Sequence, residues 1–116
     1  MRSFSGLTRI GEDNVEKLVP ARGLMVLMAC LRQDAGLDAS LESLARTARW
    51  FGGDLRVCYG LDDMLSYLMD RFHFTVVPTF LLIQQGELLA VRSGAARADD
   101  LIGFVREGGR PAVREA

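Results

Sequence analysis

Hydrophobic and polar residues follow two alternating patterns along the chain. Two segments have strand character: Gly23–Cys30 is an uninterrupted apolar run, typical of a strand buried on both faces, and Thr75–Ile83 is strand-like around its proline. Elsewhere apolar residues recur every three or four positions, the spacing that places them on one face of a helix. The longest such stripe consists of Leu37, Leu41, Leu44, Ala48 and Phe51. The double glycine that follows this stripe is a typical helix end.

The segments around these runs complete the order of elements. They are a strand within Phe4–Ile10, a helix between Glu12 and Pro20, a strand at Leu55–Tyr59, helices that begin at Asp62 and Asp99, and a strand at Leu88–Arg92 after the turn Gln84–Glu87. The order β-α-β-α-β-α-β-β-α predicts an α/β fold in which helices flank a central mixed β-sheet. Because no linker or repeat interrupts the order, one domain is predicted over residues 1–109, followed by a frayed tail at residues 110–116.

The composition of the 116-residue chain excludes several classes of function. Hydrophobic residues make up 49% and charged residues 25%, as in folded globular domains and unlike disordered chains. The formal net charge of −1 favours neither nucleic acid nor an anionic membrane as a partner. No apolar run reaches the roughly 20 residues of a membrane-spanning helix, and residues 1–14 contain no apolar core of signal-peptide length. A cytoplasmic protein without nucleic-acid or membrane partners is therefore expected.

Few residues are candidates for chemistry. Cys30 and Cys58 form no CxxC pair, and His73 is the one histidine, so no metal site and no cofactor are predicted. A free cysteine in an apolar strand is most often a core residue. Cys30 remains a weak catalytic candidate, because a thiol near the start of a helix can have a lowered pKa. A Cys30–Cys58 bridge stays open, since the sequence establishes neither the distance nor the side-chain directions.

The segment from Val76 to Val105 carries the most specific pattern in the chain. It reads VVPTFLLIQQGELLAVRSGAARADDLIGFV. Through this segment and the order of its elements, the chain resembles the thioredoxin superfamily from about Leu7 to Val105. The resemblance places Pro78 on the family's cis-proline, Gly86 in its hairpin turn and Gly94 before its last helix. It implies a thioredoxin-like fold and a groove in which the backbone beside the proline pairs with an extended peptide.

The chain departs from the family at the catalytic positions. The resemblance aligns Arg32–Gly36 with the Trp-Cys-Gly-Pro-Cys motif, so that Gln33 and Gly36 stand in place of both redox thiols. Leu27 stands in place of the buried carboxylate that accepts a proton in the family. Disulfide exchange needs an attacking thiolate and a second thiol that releases the mixed disulfide. Dithiol oxidoreductase activity is therefore not expected.

These observations favour a non-redox binding or chaperone/accessory module that holds a partner protein or extended peptide in the cis-proline groove. The predicted partner-binding residues are Gln33, Asp34, Ala35, Gly36, Val77, Pro78, Thr79, Ser93 and Gly94. Two alternatives stay open. One is a monothiol or glutathione-dependent redox protein that uses Cys30. The other is a structural subunit or homo-oligomer, which a concentration-dependent mass would indicate.

Overall fold

The computed structural model of the chain describes residues 6–19 and 23–108. Within these ranges the strands are Leu7–Arg9 (β1), Met25–Cys30 (β2), Leu55–Gly60 (β3), Thr79–Gln84 (β4) and Glu87–Ser93 (β5). The helices are Val15–Leu18 (α1), Leu37–Phe51 (α2), Asp62–Phe72 (α3) and Ala98–Gly108 (α4). The predicted α/β order β-α-β-α-β-α-β-β-α is confirmed.

The strands form one mixed sheet in the order β1-β3-β2-β4-β5. Strands β1, β3 and β2 are parallel, whereas β4 is antiparallel to β2 and β5 is antiparallel to β4. Helical crossovers join the parallel strands, and a tight turn joins β4 to β5, as each geometry requires. Cys30, the last residue of β2, lies opposite Thr79, the first residue of β4. The loop after β2 and the turn before β4 therefore meet at the same end of the sheet.

Helices cover both faces of the sheet. The α1 and α3 side buries alternate residues of the two central strands, namely Val26, Met28, Cys30, Leu81 and Ile83. The α2 and α4 side buries the intervening residues, namely Leu27, Ala29, Phe80 and Leu82. Since successive strand residues point to opposite faces, a sheet that is covered on both sides requires apolar residues at every position. This explains why β2 and β4 are uninterrupted apolar runs.

The strand predicted at Thr75–Ile83 starts later than expected. It begins at Thr79, because Pro78 has no N–H to donate to a sheet ladder. The Thr79 hydroxyl instead donates to the carbonyl oxygen of Val76, which closes a turn ahead of the strand. The returning strand is one residue longer at each end than the predicted Leu88–Arg92, and its pairing with β4 shifts register between Leu82 and Ile83.

Some predictions fall outside the described residues. Phe4 of the first strand segment, Pro20 after α1 and the tail at residues 110–116 all lie there. The single domain over residues 1–109 stays a prediction. Within the described ranges, no helix is both long enough and apolar enough to cross a bilayer.

Candidate functional site

Two carboxylates hold the loop between β2 and α2. The backbone N–H of Gln33 donates to Oδ1 of Asp62 at 2.8 Å, which ties the loop to the start of α3. Within the loop, Oδ1 of Asp34 accepts a hydrogen bond from the N–H of Gly36 at 2.9 Å. Gly36 is the N-cap residue of α2. The loop is therefore anchored by one contact to a distant element, at Gln33, and by one contact within the loop, at Gly36.

The turn before β4 is held by the segment that follows β5. The Val77–Pro78 peptide bond is cis. The carbonyl oxygen of Pro78 accepts a hydrogen bond from the N–H of Gly94 at 2.8 Å. Gly94 has a φ of +98°, a backbone conformation that glycine adopts without steric cost. Gly94 thus joins the proline turn to the loop between β5 and α4.

A groove of about 790 Å³ lies where these segments meet. Its volume falls in the range of sites that enclose small ligands or short stretches of chain. Three parts of the chain line it: the β2–α2 loop with the first half of α2, the Val77–Pro78 turn, and the β5–α4 loop with the first turn of α4. The lining residues are Leu31, Arg32, Asp34, Ala35, Gly36, Leu37, Ala39, Ser40, Ser43, Val77, Pro78, Ala95, Ala96, Arg97 and Asp100.

The structure brings together five of the nine predicted partner-binding residues. Those that line the groove are Asp34, Ala35, Gly36, Val77 and Pro78. The other four are Gln33, Thr79, Ser93 and Gly94, which lie next to the groove and are not part of its lining. Thr79 is fully buried, and its hydroxyl lies 3.3 Å from the hydroxyl of Ser93. These four residues support the walls through hydrogen bonds with neighbouring segments, and their role in binding stays a prediction.

Sequence reasoning missed the helical walls of the groove. On one side they are formed by α2, through residues such as Ala39, Ser40 and Ser43. On the other side the wall is formed by Ala96 and Arg97, which lie just before α4, and by Asp100 in its first turn. The run of small residues after Gly94 was the available signal, because short side chains leave space in front of the proline turn. Which face of α2 turns toward that space is decided by how the helix packs on the sheet.

The charged side chains in the lining differ in whether they already have hydrogen-bond or ion-pair partners. The carboxylate of Asp100 accepts a hydrogen bond from the N–H of Arg97 at 3.0 Å and lies 3.9 Å from Nη2 of Arg92. Asp34 is engaged within its own loop. Arg32 and the side chain of Arg97 are exposed, and neither forms an ion pair with any residue in the described ranges. The groove therefore presents two guanidinium groups that have no carboxylate partner in the described part of the chain, and two carboxylates that already have donors.

Among the described residues, the backbone of Val77 is also without a partner. Its N–H and C=O form no hydrogen bond with another residue of the described chain, whereas the next carbonyl, that of Pro78, is satisfied by Gly94. The neighbouring Val76 side chain is 51% exposed. The groove thus contains a free backbone donor and acceptor beside apolar side chains.

Both cysteines lie in the core on the α1 and α3 side of the sheet. Neither Cys30 nor Cys58 has accessible surface, and both are free thiols. Burial raises the pKa of the Cys30 thiol to about 12, and burial with the nearby Cys30 raises the pKa of Cys58 to about 12. Reactive cysteines are instead accessible and electropositive, with a lowered pKa. These surroundings give no support to Cys30 as a nucleophile.

The strand register explains why the two thiols are not bridged. Cys58 lies opposite Met28, so it is displaced along the sheet by two residues from Cys30, which lies opposite Gly60. A strand spacing of about 4.8 Å and a two-residue offset of about 6.6 Å separate the two Cα atoms by about 8 Å. Disulfides span Cα separations of at most about 6.8 Å. A Cys30–Cys58 bridge therefore requires movement of the backbone.

No metal centre is formed by the described residues. Within them, no group of three or more His, Cys, Asp or Glu side chains is arranged so that it could hold a metal ion. His73 is instead the residue that ends α3. It has a φ of +62°, and its N–H donates to the carbonyl oxygen of Met69 at 2.8 Å.

Comparison with known proteins relates this chain to others through its fold. The sequence matches no protein-family model and no curated protein. Among solved structures, the chain is similar to one described as "Structure of a malarial protein", with a TM-score of 0.66 and 13% sequence identity. The likeness covers 76% of this chain and 100% of the other. At this level of identity it shows a shared α/β fold and carries no information about activity.

Proposed function

We propose that the protein is a thioredoxin-like domain without redox activity, and that it holds an extended segment of a partner protein in the groove. The element order, the mixed sheet and the cis peptide bond before β4 support the thioredoxin-like assignment. The meeting of the β2–α2 loop, the proline turn and the β5–α4 loop around one groove supports binding at this place.

The free backbone of Val77 is the observation that carries the proposal. Backbone N–H and C=O groups that become buried need a hydrogen-bond partner, so a ligand that covers Val77 must supply one for each group. An extended peptide that lies along the groove supplies both partners at once, as in other cases of strand addition. Because Gly94 satisfies the carbonyl of Pro78 and the Thr79 hydroxyl satisfies that of Val76, Val77 is the residue of this turn whose N–H and C=O are both without a partner among the described residues. Side chains of the bound segment then contact the apolar lining, in particular Leu37 and Ala96.

The same site lacks what disulfide chemistry needs. Gln33 and Gly36 occupy the loop positions that the resemblance assigns to the two thiols. Cys30, the nearest cysteine in the chain, is buried and has a raised pKa. A binding role uses the groove and the free backbone, and it needs no thiol.

The proposal is tested by selecting binders from a random nonapeptide library displayed on phage. The wild-type domain is compared with Ala39→Trp, which places a large ring in the groove from an exposed helix position. Ser66→Trp is the matched control, since it adds the same ring at an exposed position of α3 on the opposite side of the sheet. We expect peptides that bind the wild type and Ser66→Trp and fail to bind Ala39→Trp. In spectra of the ¹⁵N-labelled domain, these peptides should shift the amide resonance of Val77.

Two outcomes would contradict the proposed function. One is a selection that yields no peptide dependent on the groove. The other is a set of peptides that bind Ala39→Trp as well as the wild type, which would place recognition elsewhere on the surface. Circular dichroism of both tryptophan variants shows whether each retains the fold, so that lost binding is not confused with lost structure.

A further inference from the structure

Building on the proposed function, we infer that the groove prefers segments in which an acidic side chain accompanies apolar ones, and that Arg97 receives this carboxylate. The proposed partner is thus a protein segment that is extended, partly apolar and acidic. Its backbone pairs with Val77, and its carboxylate meets the wall formed by the β5–α4 loop.

The acidic groups of the lining are already engaged. Oδ1 of Asp34 accepts the N–H of Gly36 inside the β2–α2 loop. Oδ2 of Asp100 accepts the N–H of Arg97 and faces Nη2 of Arg92. A carboxylate that accepts fixed donors has fewer lone pairs to offer a ligand. Asp100 is thus engaged by two donor groups, whereas Asp34 accepts one, so the wall formed by the β5–α4 loop is the one whose carboxylate is the more fully satisfied.

As far as residues 6–19 and 23–108 are concerned, the two arginines of the lining can still donate hydrogen bonds to a ligand. Arg32 stands on the wall formed by the β2–α2 loop, and Arg97 stands on the opposite wall. Neither pairs with a carboxylate of the described residues. Arg92 is not part of the lining; its Nε is buried and has no hydrogen-bond partner among the described residues, and its Nη2 faces Asp100. Guanidinium groups bind carboxylates through two parallel hydrogen bonds, which makes an acidic side chain the matching ligand.

The size of the preference follows from the exposure of these groups. Exposed ion pairs contribute little, because water and salt screen them and long side chains lose freedom when they pair. We expect replacement of the acidic residue by its amide to weaken binding about 2- to 5-fold at low ionic strength. The difference should shrink as salt is added, since the Debye length falls to about 3 Å at 1 M.

The test uses the same nonapeptide library and counts acidic and basic residues at each position among peptides that depend on the groove. Three proteins are compared: the wild type, Arg97→Gln and Arg106→Gln. Arg106 is exposed on the last turns of α4, outside the groove lining, and therefore controls for the loss of one positive charge from the same part of the chain. The most enriched peptide is then synthesised with glutamate, glutamine or lysine at its acidic position, and the three dissociation constants are measured.

The expected result is enrichment of acidic residues with the wild type and with Arg106→Gln, and loss of this enrichment with Arg97→Gln. Groove-dependent peptides without a charge preference, or with a preference for lysine or arginine, would overturn the inference and leave the proposed function standing. An acidic preference that survives in Arg97→Gln would overturn the role of Arg97. A selection without any groove-dependent peptide would overturn both the inference and the proposed function.

Discussion

Serine in place of Cys30 or of Cys58 leaves a single thiol, and in both variants we expect this thiol to resist a chromogenic aromatic disulfide at pH 8. Burial raises the pKa of each thiol from its usual 9.0 to about 12. At pH 8 about one-tenth of a thiol with a pKa of 9.0 is ionised, compared with about one part in ten thousand at a pKa of 12. Because the thiolate is the nucleophile, ionisation alone should slow the reaction about 1000-fold.

The assay follows the absorbance of the released aromatic thiolate from about pH 7 to about pH 9.5, a range that stays below the raised pKa of both thiols. The same variants unfolded in guanidinium chloride provide the reference rate at each pH. We expect the folded rates to stay far below this reference and to rise about tenfold per pH unit across the whole range, because the thiolate fraction does so below the pKa. If the thiol of Cys58→Ser, which is Cys30, reacted at pH 8 within about tenfold of the unfolded chain, burial would not control its reactivity. Such a result would favour the monothiol alternative.

Two further predictions concern the packing and the charges of the fold. Gly60→Ala should destabilise the domain by about 1–3 kcal/mol in urea unfolding followed by circular dichroism, because the new Cβ would lie 2.8 Å from the buried Leu68 side chain. Gly103→Ala, in α4 and with open space around it, should instead stabilise by about 0.5–1 kcal/mol, and a loss in both variants would contradict the packing argument. The Tyr67 hydroxyl donates to Glu16 and, with a neighbouring arginine, lowers the pKa of that carboxyl below its usual 4.5. Since the folded pKa is the lower one, this contribution to stability is present above pH 4.5 and is lost as the pH falls through the lowered pKa. The stability difference between the wild type and Glu16→Gln should therefore disappear in acid, and a difference independent of pH would contradict this cause.

The elements of the fold could be predicted because their signals are local. The stripe from Leu37 to Phe51 predicted α2 with the bounds that the structure has. Gly52 ends this helix with a φ of +58°, and its N–H donates to the carbonyl oxygen of Ala48. The uninterrupted apolar run before Cys30 likewise predicted a strand covered on both sides, which β2 is. Periodicity, turn residues and helix ends are all expressed within a few residues of chain.

The start of β4 shows where local signals were insufficient. Val76 and Val77 have the apolar, β-branched character of strand residues, yet the strand begins only at Thr79. Pro78 cannot donate to the ladder, and a distant segment holds the turn ahead of the strand through the hydrogen bond from Gly94 to Pro78 and the contact between the hydroxyls of Thr79 and Ser93. A pattern read along the chain does not contain such pairings.

The amino-acid sequence alone was enough to establish the type and order of the elements and the absence of a CxxC pair, and the resemblance pointed to the loop after β2 and to Pro78. The packed fold was needed to show which side chains form the helical walls of the groove, that both thiols are buried, and that Asp100 is engaged while Arg97 has no ion pair among the described residues. The physical reason is the range of the interactions. Helix and strand signals depend on neighbours three or four residues apart, whereas burial and hydrogen-bond partners depend on how α2 and α4 pack on a shared sheet face.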